Sequence, residues 1–153
     1  MRHFATVSVL SLAVLGWTQG AAAAPSDPCA ILPPAQVSAA VGAPVSAGAS
    51  TGHTCTWKAT DNGVKGVAMV TLFLQSGASY EAGRKLAGQM GPQSMVPLSG
   101  VGDSAYYFVA GTAVGLLARK GSSAFKAAVY GQAPLAKKEA MEKALASAVV
   151  GRL

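Results

Sequence analysis

The feature that most constrains the fold is a series of short apolar segments between residues 98 and 131, separated by two- or three-residue breaks that contain glycine. Segments of this length with such breaks are typical of a β-meander, in which successive strands pair antiparallel. One predicted face carries apolar residues such as Tyr107 and Val109, and the opposite face includes Arg119, Lys126 and Tyr130. A sheet with one apolar face needs a covering layer. We therefore expect the rest of the chain to pack on this sheet.

Two further strands are predicted before the meander. Residues 53–60 show the two-residue alternation of a β-strand, which places Cys55 and Trp57 on one face of that strand. Residues 65–75 are apolar on both faces, which indicates a central position in the sheet. The Asp61-Asn62-Gly63 turn between them predicts a β-hairpin. With the three meander strands, these segments predict a five-stranded antiparallel sheet.

Three helices are predicted around the sheet. Pro34 suits the first turn of a helix over residues 34–41, and Gly42 suits its C-terminal cap. Residues 79–90 show helical spacing with Ser79 as the cap, and residues 134–153 form the longest helix. The fold class is therefore α+β, with N-terminal, middle and C-terminal helices packed on the sheet. The last helix has a stripe of Met141, Leu145, Ala148, Val149 and Arg152. Four charged residues are expected mostly off this stripe, namely Lys137, Lys138, Glu142 and Lys143, and Glu139 is expected with Glu142 on the helix surface.

The first 24 residues predict a secretory signal peptide. Arg2 and His3 form a basic start, residues 7–17 are apolar, and small residues precede Pro25. The apolar part is shorter than the roughly 20 residues of a membrane-spanning helix. Residues 25–153 then form a single domain with no transmembrane segment. The predicted location is the periplasm or the outside of the cell.

The charge pattern argues against nucleic acid as a partner. The chain has 12 Lys and Arg residues against 6 Asp and Glu residues, and no run of charge exceeds two residues. A nucleic-acid interface usually shows clustered Lys and Arg with interleaved aromatic residues. The mild positive charge favours only weak contact with anionic surfaces. The expected partner is an unknown protein or small ligand of the cell envelope.

The two cysteines outside the signal peptide, Cys29 and Cys55, predict a disulfide, because export places them in an oxidising compartment. Lipid attachment at Cys29 is disfavoured, since Ser26, Asp27 and Pro28 precede it in place of apolar and small residues. A metal site would need two more ligands near the cysteines, and only His53 is available. The sequence therefore predicts neither a metal nor a cofactor.

A glycine-rich segment, Gly100-Val101-Gly102-Asp103, has two interpretations. A phosphate-binding loop would need a preceding parallel strand, a third glycine and a following helix, and none of these is predicted here. We favour a structural turn in which the glycines adopt positive φ and Asp103 accepts hydrogen bonds from backbone N–H groups.

The sequence shows no catalytic constellation. A catalytic His53 would need a Ser, Cys or carboxylate partner, and the nearby thiol of Cys55 is expected to be oxidised. We expect His53 to lie beside the disulfide and Trp57 on its strand. No pair of carboxylates suggests the acid and base of a glycosidase. No catalytic residue is assigned.

Two tyrosines, with His53, are the candidate binding residues. If the strands alternate regularly, Tyr106 and Tyr130 lie on the face opposite Tyr107 and Phe125. Exposed on one face, they would form part of a patch for a ligand or a partner.

Several short motifs carry a family resemblance. They are Asp27-Pro28-Cys29-Ala30-Ile31-Leu32, Pro34-Ala35-Gln36-Val37, Val41-Gly42-Ala43-Pro44, Cys55-Thr56-Trp57, Gly100-Val101-Gly102-Asp103-Ser104-Ala105 and the closing Arg152-Leu153. With these motifs the chain resembles a bacterial family of small exported proteins of unknown function, many of which are lipoproteins. The resemblance implies an α/β/α sandwich like that of the PsbP-type photosystem proteins, with a disulfide between the two cysteines. It implies no activity, and this chain lacks the family's lipid-attachment sequence.

The function predicted from the sequence is that of a non-enzymatic binding or protein-interaction module of the cell envelope. One alternative is a secreted enzyme inhibitor or accessory subunit that docks through residues 42–52 or 91–99. Another is a hydrolase whose catalytic residues are dispersed along the chain.

Overall fold

A computed structural model of the chain describes residues 27–153, so the predicted signal peptide lies outside the described residues. Within residues 27–153 no helix is both long and apolar enough to cross a membrane. The helices are α1 (Pro28–Ile31), α2 (Pro34–Val41), α3 (Gly77–Gln89) and α4 (Leu135–Val150), with a 3-10 turn at Pro92–Ser94. The strands are β1 (Ala49–Thr51), β2 (Thr54–Lys58), β3 (Met69–Ser76), β4 (Met95–Leu98), β5 (Ser104–Ala110), β6 (Ala113–Lys120) and β7 (Ser123–Tyr130).

All strands of the described chain form one antiparallel sheet in the order β1-β2-β3-β7-β6-β5-β4. The α+β class is confirmed, but the sheet has seven strands and the prediction of five was wrong. The two missed strands, β1 and β4, are the edges. All three residues of β1 are exposed, and β4 contains Pro97. Edge strands pair on one side only, so they tolerate proline and need no apolar alternation.

The connection between β2 and β3 is longer than the predicted hairpin turn at Asp61-Asn62-Gly63. The ladder between the two strands ends at Lys58 and Met69. Asp61 and Gly63 form a turn inside this connection, where the Gly63 N–H donates to the Asp61 carboxylate at 3.1 Å. The Asn-Gly signal therefore marks a real turn, and the strand after it begins later than residue 65.

The main core lies between one face of the sheet and helices α1, α2 and α4. Trp57, Leu72, Leu116 and Phe125 are the largest fully buried side chains of the sheet on this face. Burying a side chain of this size stabilises the fold by about 1.5–3 kcal/mol. On the helices, the buried residues that meet them are Ile31, Val37, Val41, Met141, Leu145 and Val149.

The predicted disulfide between Cys29 and Cys55 is confirmed and joins α1 to β2. Gly48 passes directly over it. A Cβ added at Gly48 would lie 2.6 Å from the sulfur of Cys55 and 2.8 Å from the indole nitrogen of Trp57. Only glycine allows the chain to approach the disulfide this closely.

Helix α3 covers the other face of the sheet, where a smaller core contains Tyr80, Ala87, Tyr106 and Ala124. The helix begins after Ser76, whose hydroxyl accepts a hydrogen bond from the Ser79 N–H at 3.1 Å. The predicted cap at Ser79 was therefore wrong by one helical turn, because Ser76 already satisfies a free N–H group of the first turn.

Candidate binding groove

Helix α3 leaves part of its sheet face uncovered. Register places Thr54, Phe73, Lys126, Leu117 and Tyr106 side by side across five strands of this face. At the β5 end of this row, Tyr106 is buried under α3. Towards the other end, Phe73 of β3 remains 39% exposed. The boundary between covered and open sheet runs near Lys126.

A groove of about 190 Å³ lies at this boundary, between α3 and the sheet. Leu86 and Met90 of α3 stand at its rim with 62% and 58% of their surface exposed. Isolated exposed apolar residues are common, but here two of them border one concave apolar surface. The groove is lined by Gly83, Leu86, Ala87, Met90, Tyr106, Phe108, Leu117 and Lys126.

Small residues on α3 create the groove. Tyr80, Gly83, Ala87 and Met90 follow one another at the spacing that places them on one helix face. A Cβ added at Gly83 would lie 3.8 Å from the Tyr106 hydroxyl, and no closer heavy atom surrounds it. The helix therefore sits on the sheet without filling the space beside Gly83 and Ala87.

Aromatic contacts and polar bonds anchor the N-terminal half of α3. The rings of Tyr80 and Tyr106 are 5.5 Å apart and tilted by 52°. The Tyr80 hydroxyl also lies within 2.8 Å of the Ser104 hydroxyl. Glu81 pairs with Arg84 at 3.0 Å and with Arg119 at 3.5 Å. These contacts hold the helix at one end of the groove, whereas the end near Met90 is open.

Lys126 is the one charged side chain among the described residues that line the groove. Its aliphatic chain lies over Gly115, because a Cβ added at Gly115 would come within 2.6 Å of Lys126 Cε and 3.6 Å of Nζ. Gly115 thus leaves a notch that receives the lysine side chain. Lys126 makes no side-chain hydrogen bond or ion pair within residues 27–153.

The predicted binding residues lie in three different places. Tyr106 forms the floor of the groove, and burial raises the pKa of its hydroxyl. Tyr130 is 41% exposed on the same sheet face, four residues beyond Lys126 on β7, which corresponds to roughly 13 Å along the strand. His53 is exposed in the turn between β1 and β2. Tyr106 and Tyr130 therefore share a face without forming one patch.

The segment around Asp103 connects three strands. The Asp103 carboxylate accepts a hydrogen bond from the Gly121 N–H at 2.7 Å, and its own N–H donates to the Arg119 carbonyl at 2.8 Å. Gly102 adopts a φ of 59°, and a Cβ there would collide with the same Arg119 carbonyl. Gly100 adopts a φ of 80°. This segment therefore ties the start of β5 to the turn between β6 and β7.

Glu142 is an ionisable residue whose position the sequence analysis predicted wrongly. The prediction put Glu142 and Lys138 on the exposed surface of the last helix, but Glu142 is fully buried and Lys138 is 7% exposed. Positions 138, 142, 145 and 149 share one helix face at the spacing of a core stripe. Reading this spacing from Leu145 would have placed Glu142 inside.

The Glu142 carboxylate meets the sheet where β6 and β7 separate. The ladder between these two strands ends at the Leu116–Ala127 pair. Two residues further along β7, the Val129 N–H donates a hydrogen bond to the Glu142 carboxylate at 2.9 Å. The second carboxylate oxygen has no hydrogen-bond partner in the described chain. Burial raises the pKa of Glu142 to about 7. The Val129 hydrogen bond and the charge of Lys126 act in the opposite direction and lower this pKa.

No cluster of three or more His, Cys, Asp or Glu side chains that could hold a metal occurs in residues 27–153. Comparisons with protein-family models, with curated proteins and with solved structures find no similar protein. The functional interpretation therefore rests on the groove and its surroundings.

Proposed function

We propose that this chain is an exported, non-enzymatic binding module and that the groove beside α3 is its binding site. The observation that carries the proposal is the open apolar groove bordered by Leu86 and Met90, both more than half exposed. Burying such side chains against a ligand is favourable by about 25 cal/mol for each Å² of apolar surface removed from water.

The dimensions of the groove suit a small apolar group. An engineered apolar cavity of about 150 Å³ binds benzene, and the groove measures about 190 Å³. Tyr106 and Phe108 supply aromatic surface, and Leu117 supplies the aliphatic part of the sheet side. A ring or a short alkyl chain would fill this space.

The disulfide supports export. Disulfides persist in oxidising compartments, and Cys29–Cys55 closes a long segment of the domain. Together with the predicted signal peptide, it supports a location in the periplasm or outside the cell.

We also propose that the chain is related to exported proteins with a PsbP-like sandwich. The support for this proposal is that helices pack on both faces of the sheet.

The proposal predicts that filling the groove weakens the binding of a neutral apolar probe. Toluene would be titrated into the purified protein while amide chemical shifts are followed by NMR. In the unsubstituted protein we expect saturable shifts at Gly83, Ala87 and Leu117. Gly83→Leu places a side chain in the groove and should weaken toluene binding at least about tenfold, which corresponds to 1.4 kcal/mol.

Gly88→Leu is the matched control. Gly88 belongs to the same helix, and a Cβ added there meets no atom within 4 Å. This variant should bind toluene like the unsubstituted protein. Circular dichroism checks that both variants are folded. Absence of saturable shifts in the unsubstituted protein, or equal loss in both variants, would refute the groove as a binding site.

A further inference from the structure

We propose that the natural ligand of the groove is a small monoanionic amphiphile, a medium-chain or aryl carboxylate, whose carboxylate meets Lys126 and whose tail lies between α3 and the sheet. This inference rests on the proposed function and adds the chemical class of the ligand. The carboxylate is taken from solution as a free monomer.

The first argument is charge complementarity. The groove is apolar except for Lys126, whose ammonium group has no ion-pair partner in residues 27–153. A neutral apolar ligand would displace water from this ammonium group without offering it new hydrogen bonds, and leaving a charge unsolvated is unfavourable. A carboxylate would instead form a charge-assisted hydrogen bond with it.

The second argument is that Lys126 is held in position before a ligand binds. Gly115 leaves the notch that receives the lysine chain, with Cε and Nζ both close to the position of the missing Cβ. The ladder places Leu117 directly opposite Lys126 and Tyr106 opposite Leu117. Lys126 therefore stands where the covered part of this row, Leu117 and Tyr106, gives way to the exposed Phe73. A tail that lies under α3 can thus place one charged end at this lysine.

The third argument concerns the carboxylates of the protein itself. Glu81 is occupied by Arg84 and Arg119. Glu142 interacts with the charge of Lys126 from the α4 side of the sheet, but it is fully buried and its pKa is raised to about 7. No Asp or Glu among the described residues lines the groove, so the position in front of Lys126 is available to an anion.

The test compares octanoate, octanol and octylammonium, which share a tail and differ in charge. We expect octanoate to bind at least about fivefold more tightly than octanol, and octylammonium to bind most weakly, as measured by amide chemical shifts or calorimetry. Raising the ionic strength should weaken octanoate binding and leave octanol binding unchanged, because salt screens the charge interaction.

Lys126→Met keeps most of the apolar chain and removes the charge. In this variant octanoate and octanol should bind equally. Lys143→Met is the control, since Lys143 is an exposed residue of α4 outside the groove, and it should keep the preference for octanoate. Gly115→Ala should displace the Lys126 side chain. This variant should show a smaller preference for octanoate over octanol and should still bind octanol.

The outcomes separate the two proposals. If octanol binds as tightly as octanoate and Lys126→Met changes neither, the anionic class is refuted while the groove remains a binding site. If none of the three compounds binds, both proposals fail. Co-sedimentation with phosphatidylglycerol vesicles that Lys126→Met abolishes, without octanoate competition, would overturn the free carboxylate in favour of a membrane surface.

Discussion

At the scale of single residues, Glu142 shows how the fold changes the chemistry of a side chain. The carboxylate is buried against β7, and one oxygen lacks a partner in the described chain. Burial disfavours the charged form and raises the pKa, whereas Lys126, Lys138 and the Val129 N–H lower it and Glu139 raises it. Burial outweighs the lowering contributions, so the neutral acid is the form best suited to this site.

The raised pKa of Glu142 predicts that stability falls as pH increases. The pKa is about 7 in the folded chain and 4.5 for an ordinary Glu side chain. Between these values the folded state binds more protons than the unfolded state, so the free energy of unfolding decreases with pH. At 1.36 kcal/mol per pKa unit, this group accounts for a loss of about 3 kcal/mol. Urea unfolding at pH 5 and at pH 8 measures most of this loss.

Glu142→Gln should remove most of this pH dependence and stabilise the protein at pH 8, because the amide oxygen still accepts from the Val129 N–H without a buried charge. Glu139→Gln, one turn earlier on α4, is the control and should keep most of the pH dependence. A stability that is equal at pH 5 and pH 8 in the unsubstituted protein would contradict the prediction.

At the scale of secondary-structure elements, α3 is held on the sheet at its N-terminal end and carries two glycines further along. Tyr80 packs on Tyr106, and Ser76 caps the first turn. Gly83 and Gly88 weaken the helix because glycine loses more backbone entropy than alanine on folding. Gly83 faces the groove, whereas Gly88 has open space around it. Only the first glycine therefore has a role in the proposed site.

Gly88→Ala should stabilise the protein by about 0.5–1 kcal/mol, because helical backbone suits alanine and no atom lies within contact distance. Gly52→Ala is a matched comparison. It also has open space, but Gly52 adopts a φ of 58° in the turn between β1 and β2. This variant should lose about 1–2 kcal/mol. Thermal unfolding measures both changes, and a shift in the same direction for both would contradict the explanation.

The elements also show where sequence patterns succeed. The meander β5–β7 was predicted from its glycine breaks and short apolar segments, because tight turns and buried strands restrict which residue types can stand there. The edge strands β1 and β4 were missed, since residues 49–51 are exposed and β4 contains Pro97. An edge strand is defined by the partner it pairs with, and its own residues carry little of that information.

At the scale of the whole molecule, one disulfide joins the N-terminal helix to the sheet. Cys29 and Cys55 are 26 residues apart, and the loop they close would otherwise gain chain entropy on unfolding. For a loop of this length the stabilisation is about 3.5 kcal/mol in the chain-entropy model. Trp57 and Gly48 pack directly beside the sulfurs, so the crosslink lies within the main core.

Replacing both cysteines by alanine should lower the free energy of unfolding by about 3 kcal/mol, measured by urea denaturation under oxidising conditions. Adding a reducing agent to the unsubstituted protein should approach the same value, and it should leave the double variant unchanged. A loss below about 1 kcal/mol would mean that the packing around Gly48 holds α1 without the crosslink.

The amino-acid sequence determined the class of the fold, the central strands, the three longer helices in outline, and the two cysteines that pair. These features depend on residue type and local spacing, which are properties of the chain itself. The tertiary structure alone decided the number of strands, the hydrogen bond between the Val129 N–H and Glu142, and the groove beside α3. The groove exists because Gly83 of α3, Leu117 of β6 and Lys126 of β7, distant in sequence, line one space. No local pattern encodes such a meeting, since it depends on how a helix is seated on a sheet.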